Sequence, residues 1–132
     1  MPLLVVDGGE SLALQYLVNK AASQNLVLCL FTSNTTPAET DVTATYTEAT
    51  GFGYANVTLT GASWTISGTA PTSAGYAAQT FTFTGALGNV YGYFLKRVTG
   101  GELVYSERFD NGPYNIQQNG DSITITPTIT AS

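Results

Sequence analysis

The chain has no histidine, one cysteine and four basic residues among its 132. The side chains that most often carry catalysis are therefore nearly absent. A single Cys29 excludes an internal disulfide, and its place within Leu26-Val27-Leu28-Cys29-Leu30-Phe31 reads as a small buried hydrophobe. Thiol activation takes a histidine, another cation or a helix N-terminus, and that setting does not suggest one. Lys20, Lys96, Arg97 and Arg108 form no cluster, and the net charge is −5. That balance argues against nucleic acid, because phosphate binding needs gathered Lys and Arg to release counterions. Charged residues make up 10% of the chain, well under the roughly 25% usual for soluble domains. The surface must then be covered by Thr, Ser, Asn, Gln and Gly. Long apolar runs are missing too: Met1-Pro2-Leu3-Leu4-Val5-Val6 is too short to span a membrane and lacks the charged start and cleavage site of a signal peptide. It reads as mature protein made in the cytosol.

What is present is strand-forming material. The expectation is a mainly β chain, a single-domain antiparallel β-sandwich or jelly roll over residues 1–132 with one short N-terminal helix. Asp7-Gly8-Gly9-Glu10 has capping-box spacing, and Leu14, Leu17, Val18 and Ala21 recur at helical spacing, so a helix is expected over about 10–22 with Lys20 in its last turn. Residues 1–6 read either as the first strand of the chain's own sheet or as a contact arm that adds to a neighbour's sheet edge. The sandwich is expected over 25–129.

Leu26–Phe31 is apolar on both faces, as a central strand would be. Thr32 to Gly53 has no sustained period and reads as a long exposed excursion, a length of loop that tends to be functional. Strand signals then follow closely. Val57 and Leu59 alternate with threonine, Gly61-Ala62 turns the chain, and Trp64 and Ile66 repeat the pattern. Phe81 and Phe83 alternate with threonines, Val90–Leu95 is apolar on both faces, and Gly100-Gly101 makes a hairpin after which Leu103, Tyr105 and Phe109 line one face. Asp121 to Thr130 alternates isoleucine with threonine. Pro127 cannot donate to a ladder, so that segment should lie on an edge or where pairing changes partner.

Few constellations could carry chemistry. Glu107 and Asp110 are the best carboxylate pair, since a glycosidase needs two such groups about 5 to 10 Å apart. The alternative gives Glu107 an ion-pair partner in Arg108 or Lys96 and makes Asp110 a turn cap. Asp110, Asn111, Asn119 and Asp121 offer oxygen ligands of the kind calcium takes, without EF-hand spacing, and suit turns equally. Gly8-Gly9 and Gly51-Phe52-Gly53 lack the lysine of a phosphate loop. No catalytic, cofactor or metal site is therefore assigned. Tyrosines suit interfaces, having a large apolar body and a polar tip. Tyr91, Tyr93 and Tyr105 lie in the most apolar strands and suit packing. Tyr46, Phe52, Tyr54 and Tyr114 remain as candidates to contact a partner.

The segments Asn25–Thr32, Asn34-Thr35-Thr36-Pro37, Gly61-Ala62-Ser63-Trp64, Val90–Leu95, Glu107-Arg108-Phe109, Gly112-Pro113-Tyr114 and Asn119–Pro127 occur in this order. Together they resemble small structural proteins of tailed bacteriophages, including cyanophages, that serve as capsid decoration or cement proteins. The resemblance spans roughly Asn25 to Ile129. It implies a non-enzymatic β knob, made in the host cytoplasm, that sits on the outer capsid of the virion and bridges major capsid protein subunits, often as a homotrimer. It carries over no site residues. A tail-associated virion protein with the same fold is a close variant, and a carbohydrate-binding β-sandwich module is the competing class.

Overall fold

A computed structural model describes residues 4–69 and 71–131. The central element is a five-stranded antiparallel sheet built from β1 (Leu4–Val5), β2 (Leu26–Phe31), β3 (Val57–Leu59), β8 (Gly92–Arg97) and β9 (Leu103–Arg108). Its order is β1-β9-β8-β2-β3. The apolar runs at 26–31 and 92–95 fall on neighbouring strands, with Leu28 opposite Leu95 and Cys29 opposite Phe94. Both strands are apolar on both faces because both faces are covered.

On one face Leu28, Leu30, Leu59, Leu95 and Tyr105 join Phe81, Phe83, Val90, Ile116, Ile123 and Ile125 in one buried cluster. Those partners come from and around three smaller antiparallel sheets. The first pairs β6 (Gln79–Thr82) with β11 (Ser122–Ile125), and the second pairs β7 (Gly88–Val90) with β10 (Tyr114–Ile116). The third orders β12 (Thr128–Ala131), β5 (Thr72–Gly75) and β4 (Thr65–Ser67), with Ile129 reaching the same core. The result is a β-sandwich. Each large side chain buried there contributes about 1.5–3 kcal/mol relative to exposure. The opposite face carries a second cluster of Val6, Val27, Cys29, Phe31, Tyr46, Phe94 and Leu103.

Pairing changes at Pro127: β11 pairs with β6, while β12 pairs with β5. Pro127 itself is buried and its carbonyl accepts the Tyr76 N–H at 2.9 Å. Tyr91 interrupts the 90–95 run, so that β7 leaves the main sheet for β10.

Leu103 and Tyr105 do not share a face. Leu95 pairs with Tyr105 and Lys96 with Leu103, leaving Val104 as a bulged extra residue. The bulge shifts the alternation by one and turns Leu103 toward the second cluster. It also presents the Val104 carbonyl, which accepts the Val6 N–H at 3.2 Å.

Helix α1 spans Asp7–Leu17, earlier than the expected 10–22 at both ends. The capping box does not form, because Asp7 is already helical and Val6 stands at the N-cap without a side-chain bond. Glu10 instead donates its backbone N–H to the Val6 carbonyl at 3.0 Å. At the other end Asn19 adopts φ 59°, and the Lys20 and Ala21 amides close on the Gln15 carbonyl at 2.8 and 3.3 Å. Asparagine tolerates that left-handed geometry, which ends the helix before Lys20 can join its last turn.

Leu4–Val5 pairs with β9 inside the chain's own sheet and Val6 is fully buried, so these residues do not form a free contact arm. Met1 to Leu3 lie outside the described residues. The excursion from Thr32 to Gly53 is also less exposed than expected. It returns along β2, with Phe31 bridging to Glu48, the Ala49 N–H on the Leu30 carbonyl at 2.9 Å, and Tyr46 and Ala49 buried. Among the described residues no helix is long and apolar enough to cross a membrane.

Candidate contact surface

Phe52 sits in a turn where three successive residues have positive φ: Gly51 79°, Phe52 52° and Gly53 77°. The glycines adopt this region freely, whereas Phe52 does so at about 1–2 kcal/mol. Backbone bonds hold the turn, with Tyr54 N–H on the Gly51 carbonyl at 3.0 Å and Thr84 N–H on the Phe52 carbonyl at 2.8 Å. The ring lies over Gly85, where an added Cβ would come within 2.7 Å of it. One side is thus supported by backbone, and the side chain stays 49% exposed.

Tyr114 opens β10 at 40% exposure, with its ring centre 4.6 Å from that of Phe109. Phe109 in turn lies 6.4 Å from Tyr93. The Tyr93 hydroxyl donates to Glu107 Oε2 at 2.9 Å. An aromatic ladder therefore runs from surface to core, beside a recess of about 190 Å³ lined by Tyr93, Glu107, Phe109, Thr124, Ile125 and Thr126.

Tyr46 and Tyr54, expected to be available to a partner, face inward. Tyr46 is 6% exposed between Phe31 and Phe94, at centroid distances of 4.7 and 5.5 Å. Its hydroxyl donates to Asp41 Oδ2 and meets the buried Ser106 hydroxyl, both at 2.7 Å. Tyr54 is half-buried against Phe81; its hydroxyl donates to Glu48 Oε2 at 2.8 Å and accepts the Leu30 N–H at 3.1 Å. Both phenols tie the 32–53 excursion to the sheet. The excursion's lack of sequence period hid this, because side-chain hydrogen bonds and a single β-bridge hold it rather than a regular ladder. Tyr46→Phe is expected to destabilise the fold by about 1–3 kcal/mol by leaving the Ser106 hydroxyl buried and unpaired, as read by urea denaturation.

The expected carboxylate partners also differ. Glu107 bonds Tyr93, while Lys96 pairs with Glu48 at 3.6 Å, Arg97 with Glu102, and Arg108 donates to the Thr35 carbonyl at 3.1 Å and lies over the Tyr91 ring. Asp110 lies in the turn after β9. Asp121 caps a turn through its Oδ2, which accepts the Gln117 and Gln118 amides at 2.9 and 3.2 Å. Among the described residues no group of three or more His, Cys, Asp or Glu is placed to hold a metal ion.

Burial moves the Cys29 thiol up to about 12 and raises the phenols of Tyr46, Tyr54, Tyr93 and Tyr105 above their ordinary range. Each stays protonated and uncharged near neutral pH.

The surface also holds the apolar groups whose helical spacing marked α1 in the sequence. Leu14, Leu17 and Val18 are 65%, 81% and 70% exposed. The helix turns Gly9, Leu12 and Tyr16 toward the sheet instead, lining a recess of about 410 Å³ with Leu26, Trp64 and Ile129. Gly9-x-x-Leu12-x-x-x-Tyr16 is itself a helical stripe, and the glycine was the signal that this side approaches backbone closely. No family model matches the chain, and neither a curated protein nor a solved structure does.

Proposed function

We propose that the chain is a non-enzymatic structural protein of a tailed-phage virion, a capsid decoration protein made in the host cytoplasm that bridges major capsid protein subunits on the outer surface. The observation that carries this reading is the exposed aromatic pair: Phe52 braced over Gly85 and Tyr114 stacked on Phe109. These groups stand on a body with few charges, so association desolvates few ions, which would otherwise cost several kcal/mol each. The ordered segments from Asn25 to Ile129 that resemble decoration proteins point the same way, and imply self-association as a homotrimer.

Cosedimentation with undecorated capsids assembled from major capsid protein tests the proposal. Saturable binding that falls at least tenfold in a Phe52→Ser, Tyr114→Ser double variant supports it; absence of binding by the folded wild-type chain overturns it. The same fold in a tail position would show binding to tail structures in place of capsids. A carbohydrate-binding module is the second reading, favoured by the Tyr114–Phe109 stack beside Glu107, Thr124 and Thr126. Aromatic faces beside hydroxyl and carboxylate acceptors suit a sugar ring, and Tyr114→Ser would then abolish glycan binding with the capsid assay silent.

A further inference from the structure

We infer that the outer face of α1 pairs with the same face of a second copy, antiparallel about a two-fold axis. At 100° per residue Glu10, Leu14 and Leu17 fall along one stripe, with Val18 at its margin, away from the side that carries Gly9, Leu12 and Tyr16. Leu14, Leu17 and Val18 are the most exposed set of adjoining apolar side chains on the helix, and nothing within the described chain covers them.

The charges around the stripe select the occupant. Glu10 precedes it by four residues, about 6 Å along the axis, and Lys20 follows it just beyond the end of the helix. Among the described residues Lys20 alone of the four cations has no hydrogen-bond, ion-pair or ring partner, the others being held by Glu48, by Glu102, and by Thr35 with Tyr91. Opposed antiparallel with Leu14 against Leu17, two copies bring the Glu10 end of each helix to the C-terminal end of the other, where the Lys20 backbone is folded back onto the Gln15 carbonyl. Each Glu10 then lies beside the other copy's Lys20, twice by symmetry. A parallel pairing would set Glu10 against Glu10 and Lys20 against Lys20. The layout is self-complementary, as an isologous contact requires, and antiparallel helix dipoles add to it.

The pairing is independent of the capsid reading and of any threefold contact. It doubles whatever assembly other surfaces build, monomer to dimer or trimer to hexamer.

Light scattering across a concentration series of the full chain tests it. Leu17→Glu is expected to halve the limiting mass while far-UV circular dichroism and the melting transition stay as in wild type, since residue 17 lies outside the core. Glu10→Lys and Lys20→Glu should each raise the dissociation constant about fivefold, and the double exchange should return it to within about twofold of wild type. The inference is overturned by a mass that Leu17→Glu leaves unchanged, by a wild type already at the halved mass throughout the series, or by a double exchange no tighter than either single variant. Cosedimentation, read separately on Leu17→Glu, keeps failure of this pairing distinct from failure of capsid binding.

Discussion

Raising the pH from about 9 to about 11.5 is expected to unfold the protein in a single cooperative step. Tyr46, Tyr93 and Tyr105 are 6%, 5% and 0% exposed, and burial is the first cause of the upward displacement of each phenol. Asp41 beside Tyr46 and Glu107 beside Tyr93 add to it, because a phenolate there would face a carboxylate. In the unfolded chain the same phenols release their protons near 10. Above that pH the unfolded state binds fewer protons than the folded one, so stability falls as pH rises. The contribution is fully present below the unfolded value. Each such group removes about 1.4 kcal/mol per pH unit, so three remove about 4, against a typical total of 5–15 kcal/mol. Cys29, held up to about 12 by burial, acts in the same direction and begins lower. Circular dichroism and phenolate absorbance, followed together, check this. Coincident transitions are expected for the buried phenols, and Tyr105→Phe should move the midpoint upward. All eight tyrosines ionising near pH 10 with the far-UV signal intact would refute the burial argument.

Where local period and burial coincide, the fold is legible from the chain. Leu26–Phe31 is apolar at every position because both faces of β2 are covered, and Asp121–Thr130 alternates because Ile123, Ile125, Pro127 and Ile129 turn inward while the threonines between them do not. Pro127 marks the change of partner because it cannot donate to a ladder. Period fails where tertiary geometry decides. One bulged residue at Val104 reverses the face of Leu103, and no sequence pattern within β9 announces it. Both sides of α1 carry a helical stripe, and hydrophobicity favours the wrong one; the side that meets the sheet is set by the size of Gly9, which lets the helix approach β9. Tyr46 and Tyr54 look like contact residues by type and loop context. Their hydroxyl partners Ser106, Asp41, Glu48 and Leu30 are assembled only by folding, so the sequence shows the phenols but not their anchors. Phe52 and Tyr114 stay open because the first is supported by Gly85 and the second by Phe109, neither deep enough to bury a whole ring.

Gly9→Ala is expected to destabilise the protein by about 2–3 kcal/mol, whereas Gly8→Ala is expected to be neutral or to stabilise it by up to about 1 kcal/mol. Intrinsic preference alone predicts a gain at both, because alanine in a helix is favoured over glycine by roughly 0.5–1 kcal/mol. Packing separates them. A Cβ on Gly8 would stand 3.4 Å from the Leu103 carbonyl oxygen, an ordinary contact. On Gly9 it would stand 2.1 Å from the Val104 carbonyl oxygen and 2.9 Å from its carbon. Those atoms are backbone, fixed by the bulge that also receives the Val6 amide, so no rotamer change relieves the overlap. The helix must lift from β9, which opens the contacts of buried Leu12 and strains the Val6 turn. Overlap of that size outweighs propensity. Thermal melts of the two variants side by side check this, with a fall of about 10 °C expected for Gly9→Ala and none for Gly8→Ala. Equal stability in both would mean that α1 does not rest on β9. Because the same seating turns Leu14, Leu17 and Val18 outward, Gly9→Ala should also lower self-association at temperatures where the fold persists, an effect Gly8→Ala should not share.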